Sequence, residues 1–418
     1  MTQGLVDSTP LFESYHAFAN RPMIVKQLEK YRVTDSEEDE AAHANDHGLY
    51  AFEENGFYRT LVRRVRAEFG AVGPDADKKS LTKETKANWF WLLKISTQMF
   101  LSAVFFYLTF FTGARFSTPT LCVLALFAGN FFIQWGFTVM HDASHFAIAP
   151  RNHWANAFMT RVWCAMSLWV CRIWMLHHAV LHHAYTGTST LDPDLYHAVP
   201  FVRKHPDSPR SSVFSWFRVM GTTFGMPGWA FCCIILYALF PGMWVGQVIQ
   251  YLAFAFGVAH WKDLWGMTYP KNSAYETKWF EYLLMGAHLG AHVYRWNPFV
   301  SYAFVLALNV SYAMCIVADH DTADAAVLNH VDVDIDIPSA DDVDENNYGK
   351  VDWGTMQVRN SSNFGNHWAG DLFAFCNGSI NYQIEHHLFP GMSHIHLPRI
   401  VPIVRQTCEE FNVPYAAC

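Results

Sequence analysis

The sequence predicts an all-α integral membrane protein of about four transmembrane helices, with a cytosolic helical cap carrying three histidine clusters. Three observations predict it. Of 418 residues, 51% are hydrophobic and 16% aromatic while only 16% are charged, a balance shifted towards membrane proteins. Apolar runs of membrane-spanning length recur after residue 87, and histidine pairs follow or lie between them. A mean hydropathy of only +0.05 leaves a large part of the chain facing water. The net charge of -8 argues against nucleic acid as a partner, because phosphate binders concentrate Lys and Arg. The nine cysteines include several inside apolar runs (Cys122, Cys232, Cys233, Cys315) and no Cys-x-x-Cys pair. They give neither a disulfide framework nor zinc-finger spacing and read as reduced packing residues.

Taken in order, residues 1–86 are polar, with no apolar core behind Met1. A cleaved secretory signal is not expected, and insertion falls to internal segments. Within this head, Phe57 to Phe69 forms a basic amphipathic helix with Arg59, Arg63, Arg64 and Arg66. Lys78, Lys79, Lys83 and Lys86 precede the first apolar run, which puts the N-terminus in the cytosol by the positive-inside rule. The runs Ala87 to Phe111 and Pro119 to Met140 each match the ~20 residues that cross a bilayer as a helix. They form a hairpin that returns His141 to the cytosolic side. Gly187 to Arg210 is a polar loop with Asp192-Pro193-Asp194 as a turn. Pro227 to Ala259, interrupted by Pro241-Gly242, and Pro298 to Ala318 supply the later spans. The last cluster reaches the side of the first two only after an even number of crossings, so four are expected, with six as the alternative. Tyr275 to Tyr294 is amphipathic and suits the interface. From Asp319 to Gly349 the chain is acidic, with no Lys or Arg, and reads as a solvated loop.

The clusters are His141-Asp142-Ala143-Ser144-His145, His178-x-x-x-His182-His183 and Gln383-Ile384-Glu385-His386-His387. A spacing of four puts His141 and His145 on one helical face, and likewise His178 and His182, with His183 a step round, towards a second ion. Repeated imidazoles beside membrane segments cost free energy without a task. All three clusters can reach one aqueous edge of the membrane, so they suggest a shared metal site. Seven imidazoles without a cysteine exceed the four ligands of a closed zinc site and can satisfy two ions. Zinc has no redox chemistry. Two irons at this position can activate oxygen for attack on an unactivated C–H bond.

In this order the three clusters resemble the histidine boxes of the membrane fatty acid desaturases. Gln383, in place of a leading His, resembles the front-end (cytochrome b5-fusion) branch, which inserts a double bond between an existing one and the carboxyl end. Tyr185-Thr186-Gly187, Leu191-Asp192-Pro193-Asp194 and His387-Leu388-Phe389-Pro390 agree with it. The resemblance implies a cap holding two iron ions over the mouth of an acyl tunnel. It implies an O2-dependent oxidoreductase that desaturates a fatty acyl lipid or acyl-CoA and releases water. Electrons would come from cytochrome b5 and its reductase. The membrane would be that of the endoplasmic reticulum, with both termini cytosolic.

The metal ligands implied are His141, His145, His178, His182, His183, His386 and His387, with Gln383 bound directly or through water. His320 is added, since Ala318-Asp319-His320 stands where the family often has Ser-His-Asn; His288 and His292 compete for that role. Asp142 reads as accepting a hydrogen bond from a ligating imidazole or a neighbour rather than as binding metal. His197, His205, His394 and His396 read as surface or interface residues. A sphingolipid desaturase or an acyl hydroxylase would use the same boxes. A non-catalytic membrane metal-binding or transport protein would want ligands nearer the bilayer midplane.

One departure concerns the N-terminus. Front-end members commonly carry a cytochrome b5 domain with a His-Pro-Gly-Gly haem motif, which this sequence lacks. Asp7-Ser8-Thr9-Pro10-Leu11-Phe12-Glu13-Ser14-Tyr15-His16 resembles the end of such a domain, with His16 at the second haem ligand. Residues 1–35 therefore read as a remnant, 36–86 as a cytosolic linker and 87–418 as the desaturase domain, with haem not expected.

Overall fold

The computed structural model describes residues 7–30, 49–112, 115–150, 154–167, 169–188, 191–195, 242–258, 276–320, 351–365 and 378–417, with isolated positions between them. Side chains of 313–320 fall outside the description. Among the described residues the regular elements are helices, joined by two isolated bridges, Ala51 with Asp352 and Asn363 with Ala417.

Two short helices, α1 (Thr9–Tyr15) and α2 (Arg21–Glu29), precede the amphipathic α3 (Phe57–Glu68). The long hairpin follows as α4 (Trp89–Phe110) and α5 (Thr118–Ser144). Asn88 starts α4 by accepting from the amides of Phe90 and Trp91, and Ser117 starts α5 by accepting from Thr120, with Pro119 inside its first turn. Both helices are long and apolar enough to cross a membrane. Leu92, Leu93 and Phe100 on α4, and Val123 and Phe127 on α5, are exposed, an apolar surface that suits lipid better than water. At 27 residues, α5 exceeds the ~20 needed for a span. Its surplus turns carry His141 and His145 into the cap.

Next come α6 (Trp154–Met166) and the composite α7, made of Cys171–Trp174, a π-helical stretch Met175–His182 and the turn His183–Tyr185. They are followed by α8 (Gly242–Ala255), α9 (Trp279–Arg295) and α10 (Pro298–His320). The amphipathic stretch expected at the interface is α9. It docks on α6 through the buried Glu281, paired with Arg161, and leaves Trp279, Tyr294 and Trp296 exposed. Of the expected third span, residues before 242 lie outside the described set, apart from isolated positions; so does most of the acidic stretch, 321–349.

The α5–α10 contact depends on one glycine. A Cβ on Gly129 would lie 2.2 Å from the carbonyl oxygen of Phe304, and backbone cannot yield as a side chain can. Gly129→Ala is expected to lower stability by about 1–3 kcal/mol through overpacking, seen as a lower unfolding temperature in detergent. An unchanged transition would mean that the helices are not this close.

The cap is built from α3, α11 (Trp353–Arg359), α12 (Gln383–Leu388) and α13 (Leu397–Glu410). Leu61 and Val65 of α3 share a core with Trp353, Leu388, Phe389, Ile400 and Val404. The basic face of α3 is not all solvated: Arg66 is buried and donates to the carbonyls of Ala17, Ala19, Ala76 and Lys79. Leu11 and Phe18 join the same core, so the N-terminal segment is packed into the cap. The His16 ring lies against Phe12 and its Nδ1 donates to the Phe12 carbonyl at 2.7 Å.

Candidate metal centre

His141 and His145 leave the last turns of α5 with ring centroids 4.8 Å apart. The sequence pairs His178 with His182 by α-helical spacing, but the π-helical stretch changes that pairing. Its wider turn bonds the amide of His183 to the carbonyl of His178 and brings residues five apart to one side. His178 and His183 thus join His141, His145 and His386, whose nearest ligand atoms all lie within 4.8 Å of one another. His182 turns instead towards the loop after its helix. Its Nδ1–H donates to Asp192 Oδ1 at 3.0 Å. Asp192 also accepts from the amides of Gly187 (2.7 Å) and Asp194 (2.9 Å). The Asp-Pro-Asp turn therefore fixes the tautomer of His182 as well as reversing the chain.

All six residues of α12 are buried. His386 Nε2 lies 3.1 Å from His183 Nε2. His387 Nδ1–H donates to Gln357 Oε1 at 3.0 Å, beside the Thr186 hydroxyl, and Gln383 Nε2 stands 3.1 Å from His387 Nε2. The His387 ring is 4.2 Å from that of His183 and 5.0 Å from that of His182. Glu385, on the far side of this short helix, holds it in place. Its two oxygens accept from Asn363 Nδ2 and the Tyr415 hydroxyl, each at 2.8 Å, while Asn363 Oδ1 accepts from the amide of Ile384. Burial raises the Glu385 pKa, and these two donors oppose the rise.

Nε2 of His141, His145 and His178 and Nδ1 of His183 are buried with no hydrogen-bond partner. One such orphan costs about 1–3 kcal/mol, and four in one cluster could be satisfied together by a cation that accepts nitrogen lone pairs. Burial, reinforced by neighbouring imidazoles, pushes the pKa values of His145, His178 and His183 well below the usual range. They are held in the neutral form, the one able to bind a cation.

Asp142 faces away from this focus. Its Oδ2 accepts from His394 Nδ1–H (2.7 Å), Trp91 Nε1 (2.9 Å) and the Ser393 hydroxyl (3.2 Å), and Lys94 Nζ lies 2.9 Å from His394 Nε2. The expectation of His394 at a surface or interface is corrected: it is 3% exposed, because a buried carboxylate and a buried ammonium need a bridging group. His396 is half-buried, with Nε2 donating to the Lys86 carbonyl at 2.9 Å. His288 and His292 lie outside the cluster of five and pack against Phe132, Phe110 and Phe304. The side chain of His320, and His197 and His205, lie outside the described residues.

The sequence reading missed Asp192, Gln357, Asn363, Glu385, Tyr415 and Lys94 as supports of the boxes. Asp192 and Glu385 had a signal, being acidic residues beside or inside a box. Gln357 and Asn363 had none.

The family model described as fatty acid desaturase matches residues 117–418. Similar proteins include an acyl-lipid (8-3)-desaturase of Physcomitrium patens, 28% identical over 98% of this chain and 78% of that protein. Another of the same name, from Mortierella alpina, is 27% identical over 98% of this chain and 82% of its own length. An sn-1 linoleoyl-lipid 6-desaturase of Synechocystis sp. is 26% identical over 87% of this chain and 90% of its own.

Proposed function

This chain belongs to the fatty acid desaturase family, and from that premise we propose that it is a front-end acyl-lipid desaturase using two iron ions, O2 and electrons from cytochrome b5. It is a membrane-associated oxidoreductase of fatty acyl lipids. The observation that carries the fuller reading is the convergence of five imidazoles from three separate boxes, four of them with unpartnered buried nitrogens, at the cap end of α5. The front-end assignment rests on Gln383 in the third box and on the names of the similar proteins, the (8-3)-desaturases and the 6-desaturase.

His141, His145, His178, His183 and His386 would hold one iron. His182, His387 and Gln383, on the other side of His183, would contribute to the second, with His320. When bound, the irons and O2 supply the oxidising power that removes two hydrogens from adjacent carbons, with water as product. The protein's part is positional. Asp192 and Gln357 hold Nδ1–H of His182 and His387, which fixes the tautomer with the lone pair on Nε2, the nitrogen that would ligate. Trp174 stacks on His178 (4.2 Å between centroids), and Phe137, Trp169 and Tyr312 pack in turn on that apolar side. These groups give an acyl chain an apolar approach and keep bulk water from the centre. Four crossings, both termini in the cytosol and residence in the endoplasmic reticulum complete the proposal.

The test is expression in yeast fed several polyunsaturated acids, with lipids analysed by gas chromatography and mass spectrometry. The expected product has two hydrogens fewer than a fed acid and a new double bond on the carboxyl side of the existing ones. An oxygen-containing product would replace this reading by hydroxylation. Desaturation of sphingoid bases alone would move the substrate class.

A further inference from the structure

The N-terminal segment reads from sequence as a remnant detached from the chemistry, yet it reaches the metal centre. The Tyr15 hydroxyl, at the end of α1, lies 2.7 Å from Nδ1 of His145 and 3.3 Å from the carbonyl of Ala179, next to His178. Nε2 of His145 is one of the four unpartnered nitrogens in the cluster. A neutral imidazole that offers Nε2 to a cation carries its proton on Nδ1. That proton is donated to the Tyr15 oxygen, and the Tyr15 O–H is donated to Ala179. The ring orientation and tautomer of His145 are both set by this contact.

The helix bearing Tyr15 is itself pinned. Glu13 pairs with Arg59 at 2.6 Å, both side chains 9% exposed, and with Arg21 at 3.0 Å. The Asp7 carboxylate accepts from the amides of Thr9 (2.8 Å) and Leu49 (2.9 Å), while its carbonyl accepts from the Tyr185 hydroxyl, two residues past the second box. Phe18 packs on Phe389, two residues past the third box, at 5.5 Å.

We propose that Tyr15 is a positioning residue of the metal centre: its hydroxyl locks His145 with Nε2 towards the ion, so that α1 completes the site from outside the three boxes. The proposal rests on the metal reading given above. Losing such an outer hydrogen bond typically weakens metal binding roughly 10–100-fold.

The test titrates ferrous ion anaerobically into the purified full-length chain in detergent, against a competing chelator, alongside thermal melting of the metal-free protein. Tyr15→Phe, which keeps the ring, should bind iron at least tenfold more weakly while melting within a degree or so of the parent. Glu13→Gln, which frees the same helix from Arg59 without touching His145, should lower the melting temperature and keep the affinity. Unchanged affinity in Tyr15→Phe overturns the proposal. So does a loss that only accompanies a fall in melting temperature, in both variants alike. A parent chain that binds no iron would instead sink the metal reading itself.

Discussion

His183→Ala is expected to abolish new double bonds and to reduce bound iron from about two ions per chain to one or none, with the protein still inserted. The size of the effect follows from position. The His183 ring lies 4.3 Å from that of His145, 4.8 Å from His178, 4.6 Å from His386 and 4.2 Å from His387. It therefore stands beside members of all three boxes and between the cluster of five and the His182–His387 side. Removing it takes an imidazole from the cluster of five and opens a void between that cluster and the His182–His387 side. His288→Ala is the contrast. His288 is buried among Phe132 and Phe304 and lies outside the cluster of five, so its loss should leave iron content unchanged. Iron per chain by elemental analysis and lipid profiles in yeast read both variants. Parental iron and product in His183→Ala would refute a shared site.

What the sequence revealed, and what it hid, divides by distance along the chain. The hairpin α4–α5 was legible because span length and apolar content are local. Its extension to His145 was legible because histidines four apart on a continuing helix have one arrangement. The second box was not, since His178, His182 and His183 fit both an α-helix and a π-helix. The wider turn puts His178 with His183, beside the histidines of α5 and α12. Long-range supports left still less trace. Tyr15 and His145 are 130 positions apart, Lys94 and His394 are 300 apart, and Gln357 precedes His387 by 30. No periodicity links such pairs. His394 was misread because it sits in a short polar stretch, Ser393-His394-Ile395-His396, typical of a surface turn, while the carboxylate that draws it inward belongs to another element.

That carboxylate gives the second large effect. Asp142 and Lys94 are each 3% exposed and meet through a neutral His394, which donates from Nδ1 to the carboxylate and accepts at Nε2 from the ammonium. Asp142→Asn should therefore destabilise the fold by about 3–5 kcal/mol, the range for stranding one member of a buried pair. The ammonium then loses the carboxylate that it meets through His394. Lys94→Met placed on the Asp142→Asn background should recover part of the loss, whereas Lys94→Met alone strands the carboxylate and destabilises. Chemical unfolding of the four proteins in one detergent gives the coupling, and purely additive losses would mean that the three groups do not act as one unit. Asp142 lies beside His141, and Trp91 and Ser393 also bind it, so the same relay ties the end of α5 to α4 and to the segment after the third box. Iron affinity is expected to follow stability in this series. That sets it apart from Tyr15→Phe, where the two should separate.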